Sequence, residues 1–289
     1  MTYSAIASSE PQVFARESAV AEGAPRQGGR LPHDQLPLMH PDRRKPRFNL
    51  LKAYGHFQTF RQDKERTSEV FHVFEVMPWT TVGERTRAFL ATPEGQRIYR
   101  TEPYLPDILD DHEALRRLPA GSLAHDYCDY MEGEGLSAAG LVHEFDVFRG
   151  DRPRLDDRVE WYNDRLRDTH DLLHLLTGLG RDTLGEQCLL TFVFKQRPSL
   201  GHVTVGYLGA LLTISKDKTG APVWRAVRES RRLGKKSGRI AERSILDLLA
   251  MPIDKARESL NITPARVYHE VIRIWRDKGI DPYKVLAEK

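Results

Sequence analysis

Two histidines four residues apart, His170 and His174, interrupt a leucine-rich stretch and restrict what this chain can fold into. The segment reads His170-Asp171-Leu172-Leu173-His174, with Gly178 and Glu186 following. Side chains at i and i+4 share a helical face. At about 100° per residue, Asp171 is one step round from His170, and Gly178 falls between the two. The far side carries Leu172, Leu173, Leu176 and Leu179. A helix this apolar on its far side is buried, and buried ionisable groups are costly unless paired or bound to metal. His170, Asp171, His174 and Glu186 are therefore candidate ligands for a divalent ion. The pattern is not the H-E-x-x-H signature of metalloproteases, because the shorter Asp171 stands where that motif has its general base. Nor is it the tandem His-Asp pattern of phosphohydrolases, which needs an upstream His and a downstream Asp at suitable spacing.

The flanking sequence predicts one long helix from about Val159 to Gly178. Tyr162, Leu166, Leu173 and Leu176 form its core stripe, and Asn163 and Arg167 share the histidine face. Gly178 and Gly180 close it, as glycine does at helix C-termini. Leu184 to Phe194 reads as the next helix, folded back antiparallel so that Glu186 in its first turn approaches the histidines. An acid at that position is also favoured by the helix dipole, which is the competing explanation. A third helix, Gly201 to Ile214, sets Gly206, Gly209 and Ala210 among Val203, Val205, Tyr207, Leu208, Leu211 and Leu212. Small residues there permit close helix packing or leave a slot for a ligand.

No strand alternation persists and no repeat is found, so the expected fold class is all-α, a multi-helix bundle. Residues 1–45 read as a disordered tail and 46–289 as one helical domain. The tail lacks apolar periodicity, and its Glu10, Glu17 and Glu22 argue against a secretory signal and an acid-poor transit peptide. The net charge of +3 gives no argument for nucleic acid. Cys128 and Cys188 cannot make a disulfide framework and suggest a reducing compartment. No apolar run reaches the roughly twenty residues that span a bilayer. Phe48–Gln62 and Glu65–Met77 read as helices, Thr92-Pro93-Glu94-Gly95 as a turn or helix start, and Pro103 to Pro106 as extended. Ser122 is an expected N-cap for a helix through Met131, ended by Gly133 and Gly135. His125-Asp126 lacks a second His four residues on and reads as packing or surface. Arg225 to Arg243 is a basic run, either a solvated helix face or a contact for anionic lipid headgroups. Residues 245–262 and 264–277 read as two closing helices, with Pro252 and Pro264 at starts.

The run Arg165-Leu-Arg167-Asp168-Thr-His170-Asp171-Leu-Leu-His174, with Thr177-Gly178 and Leu184-Gly185-Glu186, resembles the family of the fourth coenzyme Q biosynthesis protein. Support continues in Leu118-Pro119 through Tyr127, weakly in Pro93 to Ile98 and Glu102-Pro103, and again in Leu248 to Arg257 and Leu260-Asn261-Ile262, covering about residues 70–262. The chain departs from the family pattern at Leu246-Asp247 and Gly95-Gln96. The resemblance implies an all-helical protein of ubiquinone biosynthesis with a divalent metal on His170, Asp171, His174 and Glu186. It implies a metal site between two antiparallel helices and an apolar groove for an isoprenoid tail, which Val203 to Leu212 could line. Zinc suits the donor set first, with iron, manganese and cobalt as alternatives. The implied reaction is oxidative decarboxylation at C1 of a polyprenylated 4-hydroxybenzoate, with dioxygen as oxidant and no flavin or haem. The implied alternative is a non-catalytic lipid-binding scaffold for the biosynthetic complex. Asp171 and Glu186 would hold and tune the metal. Arg167, with Arg165 as a second candidate, would grip the substrate carboxylate or else pair with Asp168 or Asp171. Expected partners are the prenylated substrate, a membrane surface, other ubiquinone biosynthesis proteins and a second copy of the chain. The expected location is peripheral to the cytoplasmic membrane in a bacterium, or to the mitochondrial inner membrane on the matrix side in a eukaryote.

Overall fold

The structure, a computed structural model, describes residues 33–43, 47–62 and 68–286. Among these residues there is no β-strand, only a lone bridge between Ser122 and Pro252. The helices of the first half are α1 (Leu50–Gln62), α2 (Ser68–Val76), α3 (Val82–Leu90), α4 (Pro93–Thr101), α5 (Leu105–Leu109), α6 (His112–Leu115), α7 (Leu123–Glu134) and α8 (Ala138–Arg149). Those of the second half are α9 (Arg158–Asp168), α10 (His170–Thr177), α11 (Thr183–Phe192), α12 (Leu200–Lys216), α13 (Val223–Lys236), α14 (Ile245–Leu249), α15 (Ile253–Leu260) and α16 (Arg266–Asp277).

The largest core gathers Tyr127 and Met131 of α7, Leu172 and Leu176 of α10, Cys188 and Phe192 of α11, Val227 of α13 and Trp275 of α16. A second core is aromatic: Trp79, Phe89, Ile98, Tyr99, Trp161 and Tyr162. α9 feeds the second core and α10 the first, so the predicted helix from Val159 to Gly178 divides at Thr169. The backbone ladder still crosses the junction, from Thr169 N to Arg165 O (3.1 Å) and from Leu173 N to Thr169 O (3.2 Å). The Thr169 hydroxyl also donates to Arg165 O (2.7 Å), the back-bonding that bends helices at threonine. The junction is therefore a bend that carries one chain direction through two cores.

α11 packs between α12 and α13. A Cβ on Gly206 would stand 2.7 Å from Thr191 Cγ2 and 2.9 Å from Gln187 O. At this position the missing side chain serves close approach of α12 to α11, the packing explanation of the small residues.

Several boundaries differ from expectation. Pro103 to Pro106 is not all extended: α5 begins at Leu105, with Pro106 in its first turn, where a missing N–H costs nothing. Residues 245–262 form two helices, because Pro252 cannot continue α14 and instead precedes α15. α7 runs through Gly133 and ends at Gly135 in the left-handed conformation, φ 64°. Ser122 sits at the N-cap position, but its hydroxyl makes no capping bond. The expected tail to residue 45 lies mostly outside the described residues, yet its last part is anchored. Arg43 donates to Asp157 (2.5 and 2.8 Å) and Glu160 (2.8 Å), and Leu38 packs on the aromatic core. Composition misses this because the anchoring is a long-range ion pair rather than an apolar period.

Candidate metal centre

His170 opens α10 and His174 follows one turn later, so their rings project from one face, as the spacing predicts. Gly178 then ends the helix in the left-handed conformation, φ 69°. The short turn beyond it delivers Leu179, whose carbonyl lies 2.9 Å from His174 Nδ1. A carbonyl only accepts, so Nδ1 carries the proton and the Nε2 lone pair faces the site. That outer contact is the one that fixes a metal-binding histidine.

Glu186 comes from the first turn of α11, whose start is held at three points. The Asp182 carboxylate caps it by accepting from Leu184 N and Gly185 N, both 3.1 Å, and it also accepts from the Tyr268 hydroxyl of α16. His174 Nε2 then lies 3.3 Å from Glu186 Oε1 and 3.1 Å from His170 Nε2, and His170 Nε2 lies 3.8 Å from Glu186 Oε2. The donor atoms of all three residues fall within 4.8 Å of one another. Ligands at about 2.0–2.1 Å in a tetrahedron stand roughly 3.3 Å apart, so these three could occupy three of its corners. His174 is buried, but the His170 and Glu186 side chains keep 35% and 31% of their surface exposed, which leaves the fourth direction open.

The charges agree with a site for a cation. Burial alone would lower His174, but the Glu186 carboxylate and the Leu179 carbonyl together hold it above its ordinary value. Burial and then His174 push His170 down. Burial would raise Glu186, yet His174 holds it below the usual carboxylate range.

Other expected site residues stand differently. Asp171 is buried beside His170 but does not join the triad. It faces α7, where burial first and then its negative charge push the Tyr127 and Tyr130 phenols up. The Tyr130 hydroxyl is buried with no hydrogen-bond partner among the described residues. Arg167 adopts the alternative expected for it, an ion pair: Nε donates to Asp168 (2.7 Å) and Nη1 to Asp164 (3.0 Å), while Nη2 is buried without a partner among the described residues. Arg165 is not available to a substrate, which corrects the expectation that it grips a carboxylate. It is 1% exposed and fully engaged by Glu102 (3.0 Å), Ala241 O (3.1 Å) and Arg243 O (3.0 Å). His125 bonds to Leu118 O (3.0 Å), a packing role as expected.

Two basic groups went unread in the sequence, Arg197, which reaches α9, and His202, which packs on α2. Arg197 Nη2 lies 3.4 Å from both O and Oδ1 of Asn163. His202 stacks on Phe74 with centroids 4.1 Å apart. An isolated histidine in the apolar first turn of α12 was the available signal. A cavity of about 240 Å³ lies along α9 and is lined by Trp161, Asp164, Arg165 and Asp168 among others, without the triad.

The family model described as "Coenzyme Q (ubiquinone) biosynthesis protein Coq4" matches residues 50–266. The Trypanosoma cruzi ubiquinone biosynthesis protein COQ4 homolog 1, mitochondrial, is 24% identical over 156 residues, 54% of this chain and 58% of its own. The Podospora anserina ubiquinone biosynthesis protein COQ4, mitochondrial, is 32% identical over 109 residues, 37% of this chain and 33% of its own. The matched stretch thus spans a third to under two thirds of these relatives' length. A putative ubiquinone biosynthesis protein from Nostoc punctiforme, known from a crystal structure, aligns with a TM-score of 0.49 at 18% identity, over 74% of this chain and 98% of that one.

Proposed function

The chain belongs to the coenzyme Q (ubiquinone) biosynthesis protein Coq4 family, and from that premise we propose that it acts in ubiquinone biosynthesis as a metal-dependent oxidative decarboxylase of a polyprenylated 4-hydroxybenzoate. The carrying observation is the triad His170, His174 and Glu186 with its side open to solvent. A structural zinc site is closed by four protein ligands, whereas a catalytic site keeps a position free. With Asp171 outside the triad, three protein ligands fit the catalytic kind better than a metal that only fixes the fold. Zinc is the first choice for two imidazoles and a carboxylate, with iron, manganese or cobalt as alternatives. An ion held by His170, His174 and Glu186 would supply Lewis acidity, which favours decarboxylation where it stabilises the electron pair left on the ring.

The chain's own residues then divide the work. The Leu179 carbonyl keeps the His174 lone pair aimed at the site. Asp171 adds negative charge beside His170 and so favours a cation there. Arg167, tied by Asp164 and Asp168, keeps one N–H for the carboxylate. Replacing that carboxylate by a hydroxyl is an oxidation, for which dioxygen is the proposed oxidant. The prenyl tail would lie along α12, where Val203, Val205, Leu208 and Leu212 are half-buried and Leu211 and Ile214 exposed. Membrane association would use the exposed Arg225, Arg228, Arg232, Lys235 and Lys236 of α13 with Trp224 beside them. Arg239 does not share in this: it turns inward over the Trp79 ring and donates to Gln196 O. No helix among the described residues is long and apolar enough to cross a membrane.

A second reading, a lipid-binding scaffold for other ubiquinone biosynthesis proteins or a second copy of the chain, is favoured by one observation. Leu50, Leu51 and Tyr54 of α1 are 63%, 86% and 64% exposed, an apolar face that a partner would cover. The deciding experiment incubates metal-loaded protein with a polyprenyl 4-hydroxybenzoate and dioxygen. Release of carbon dioxide, lost in Glu186→Gln, supports the enzyme. No release from protein that still restores the pathway in cells supports the scaffold.

A further inference from the structure

The α11–α12 connection carries a basic group to Asn163 of α9, and the connection is held at several points. Gln196 Nε2 donates to Gly238 O (2.6 Å), Gln196 Oε1 accepts from Ile240 N (2.9 Å), and the Ser199 hydroxyl donates to Met77 O (2.6 Å). Between them, the half-buried Arg197 reaches Asn163, one turn before Arg167 on the face that continues to His170. It makes no ion pair among the described residues, and its two contacts to Asn163 are long. His202 is 8% exposed, and its Nδ1 is buried without a partner among those residues. Arg167 Nη2 is a second buried nitrogen with none.

These groups lie close enough to repel one another. Burial and then Arg167 push Arg197 down to about 10. Burial and then Arg197 and His170 hold His202 well below its ordinary value. Cations and donors left without acceptors in a buried place are costly. Arg167 is matched by Asp164 and Asp168, but Arg197 has no carboxylate within ion-pair distance among the described residues, and His202 lies within electrostatic reach of His170. The walls of the cluster are aromatic: Phe74 stacks on His202, and the Phe145 ring lies 5.4 Å from the Arg167 guanidinium.

We propose that Arg197, with Arg167 Nη2 and the His202 ring beside it, is the binding group for the carboxylate of an aromatic acid, and that Arg167 is its support rather than the principal grip. Arg167 has two nitrogens already committed to acids, whereas Arg197 commits only Nη2, through two long contacts to a neutral amide, and so keeps N–H groups for a planar carboxylate. The assignment rests on the decarboxylase reading for the identity of the ligand, but its test does not depend on turnover.

The probes are 4-hydroxybenzoate and phenol, titrated into the full chain stripped of metal and followed by ligand-observed NMR. Wild type should bind 4-hydroxybenzoate at least about tenfold more tightly than phenol, the size of one charge-assisted hydrogen bond. Arg197→Met should lose that preference, Arg197→Lys should keep part of it, and both should still take up one metal per chain, which shows that the site is folded. The assignment is overturned if Arg197→Met binds 4-hydroxybenzoate within twofold of wild type, or if wild type does not distinguish the two probes. Carboxylate binding without decarboxylation of the prenylated acid keeps this subsite and removes the enzyme reading. Decarboxylation unchanged in Arg197→Met does the reverse.

Discussion

Arg165 and Arg167 stand two residues apart in one motif, yet they do different things. Arg165 faces the aromatic core and joins Glu102, Ala241 and Arg243. Arg165→Met leaves Glu102 charged and buried, so it should cost about 3–5 kcal/mol in urea unfolding. If instead Arg165→Met folds with wild-type stability and loses only substrate binding, the structural assignment is wrong. For the triad, His174→Ala removes a ligand and should bring metal content to about a tenth of wild type or less, given that even outer partners of ligands are worth about 10–100-fold in affinity. Full metal by elemental analysis in that variant would remove His174 from the site. The histidine pair and Glu186 were legible because a four-residue spacing and a first-turn position follow from helix geometry alone. Arg197 and His202 were not, since a loop arginine and a lone histidine acquire meaning only from Asn163 and Phe74, which tertiary packing brings to them.

At the scale of helices, the start of α11 decides where Glu186 points. Asp182→Ala removes its cap and should cost about 1–2 kcal/mol, and it also strands the Tyr268 hydroxyl. Asp182→Asn keeps the two capping bonds through its Oδ1 but turns an amide N–H to the Tyr268 hydroxyl, which must then accept, and pH should separate the two forms. Burial raises the Asp182 carboxyl above its ordinary value, so the folded state holds the proton more tightly than the unfolded chain. Wild-type stability from this group is therefore complete below the unfolded value and is lost as pH rises through the folded one. The deficit of Asp182→Asn should shrink with rising pH in thermal melts, and a deficit that grows would contradict the assignment. Gly206→Val should cost about 1–3 kcal/mol by overpacking against Thr191 and Gln187. An unchanged melting temperature would mean that α12 stands off α11. Helices such as α1, α7, α11, α12 and α16 were legible from period, and the ends at Gly178, Gly135 and Pro93 from residues that act locally, whereas α3, α5, α6 and α8 went unread. The bend at Thr169 was not, because it arises from two separate cores claiming the two halves of one amphipathic run.

For the whole molecule, the all-helical class and the family follow from the same motif that builds the centre. The anchored segment 33–43 escaped composition because Arg43 finds Asp157 and Glu160 more than a hundred residues away. The expected membrane contact is a property of the assembled surface of α12 and α13. Anionic vesicles should bind the protein weakly, by about 1 kcal/mol per exposed cation at most, and less as salt rises. Partition that ignores salt, or none at all, would contradict it. The central claim is an open site with three protein ligands, and metal content combined with X-ray absorption at the metal edge tests it most directly. The account predicts one ion per chain with two imidazole nitrogens, one carboxylate oxygen and a water oxygen at about 2.0–2.2 Å, retained in Asp171→Asn and absent in His170→Ala. Four protein ligands with no water, or a full complement of metal in His170→Ala, would contradict it.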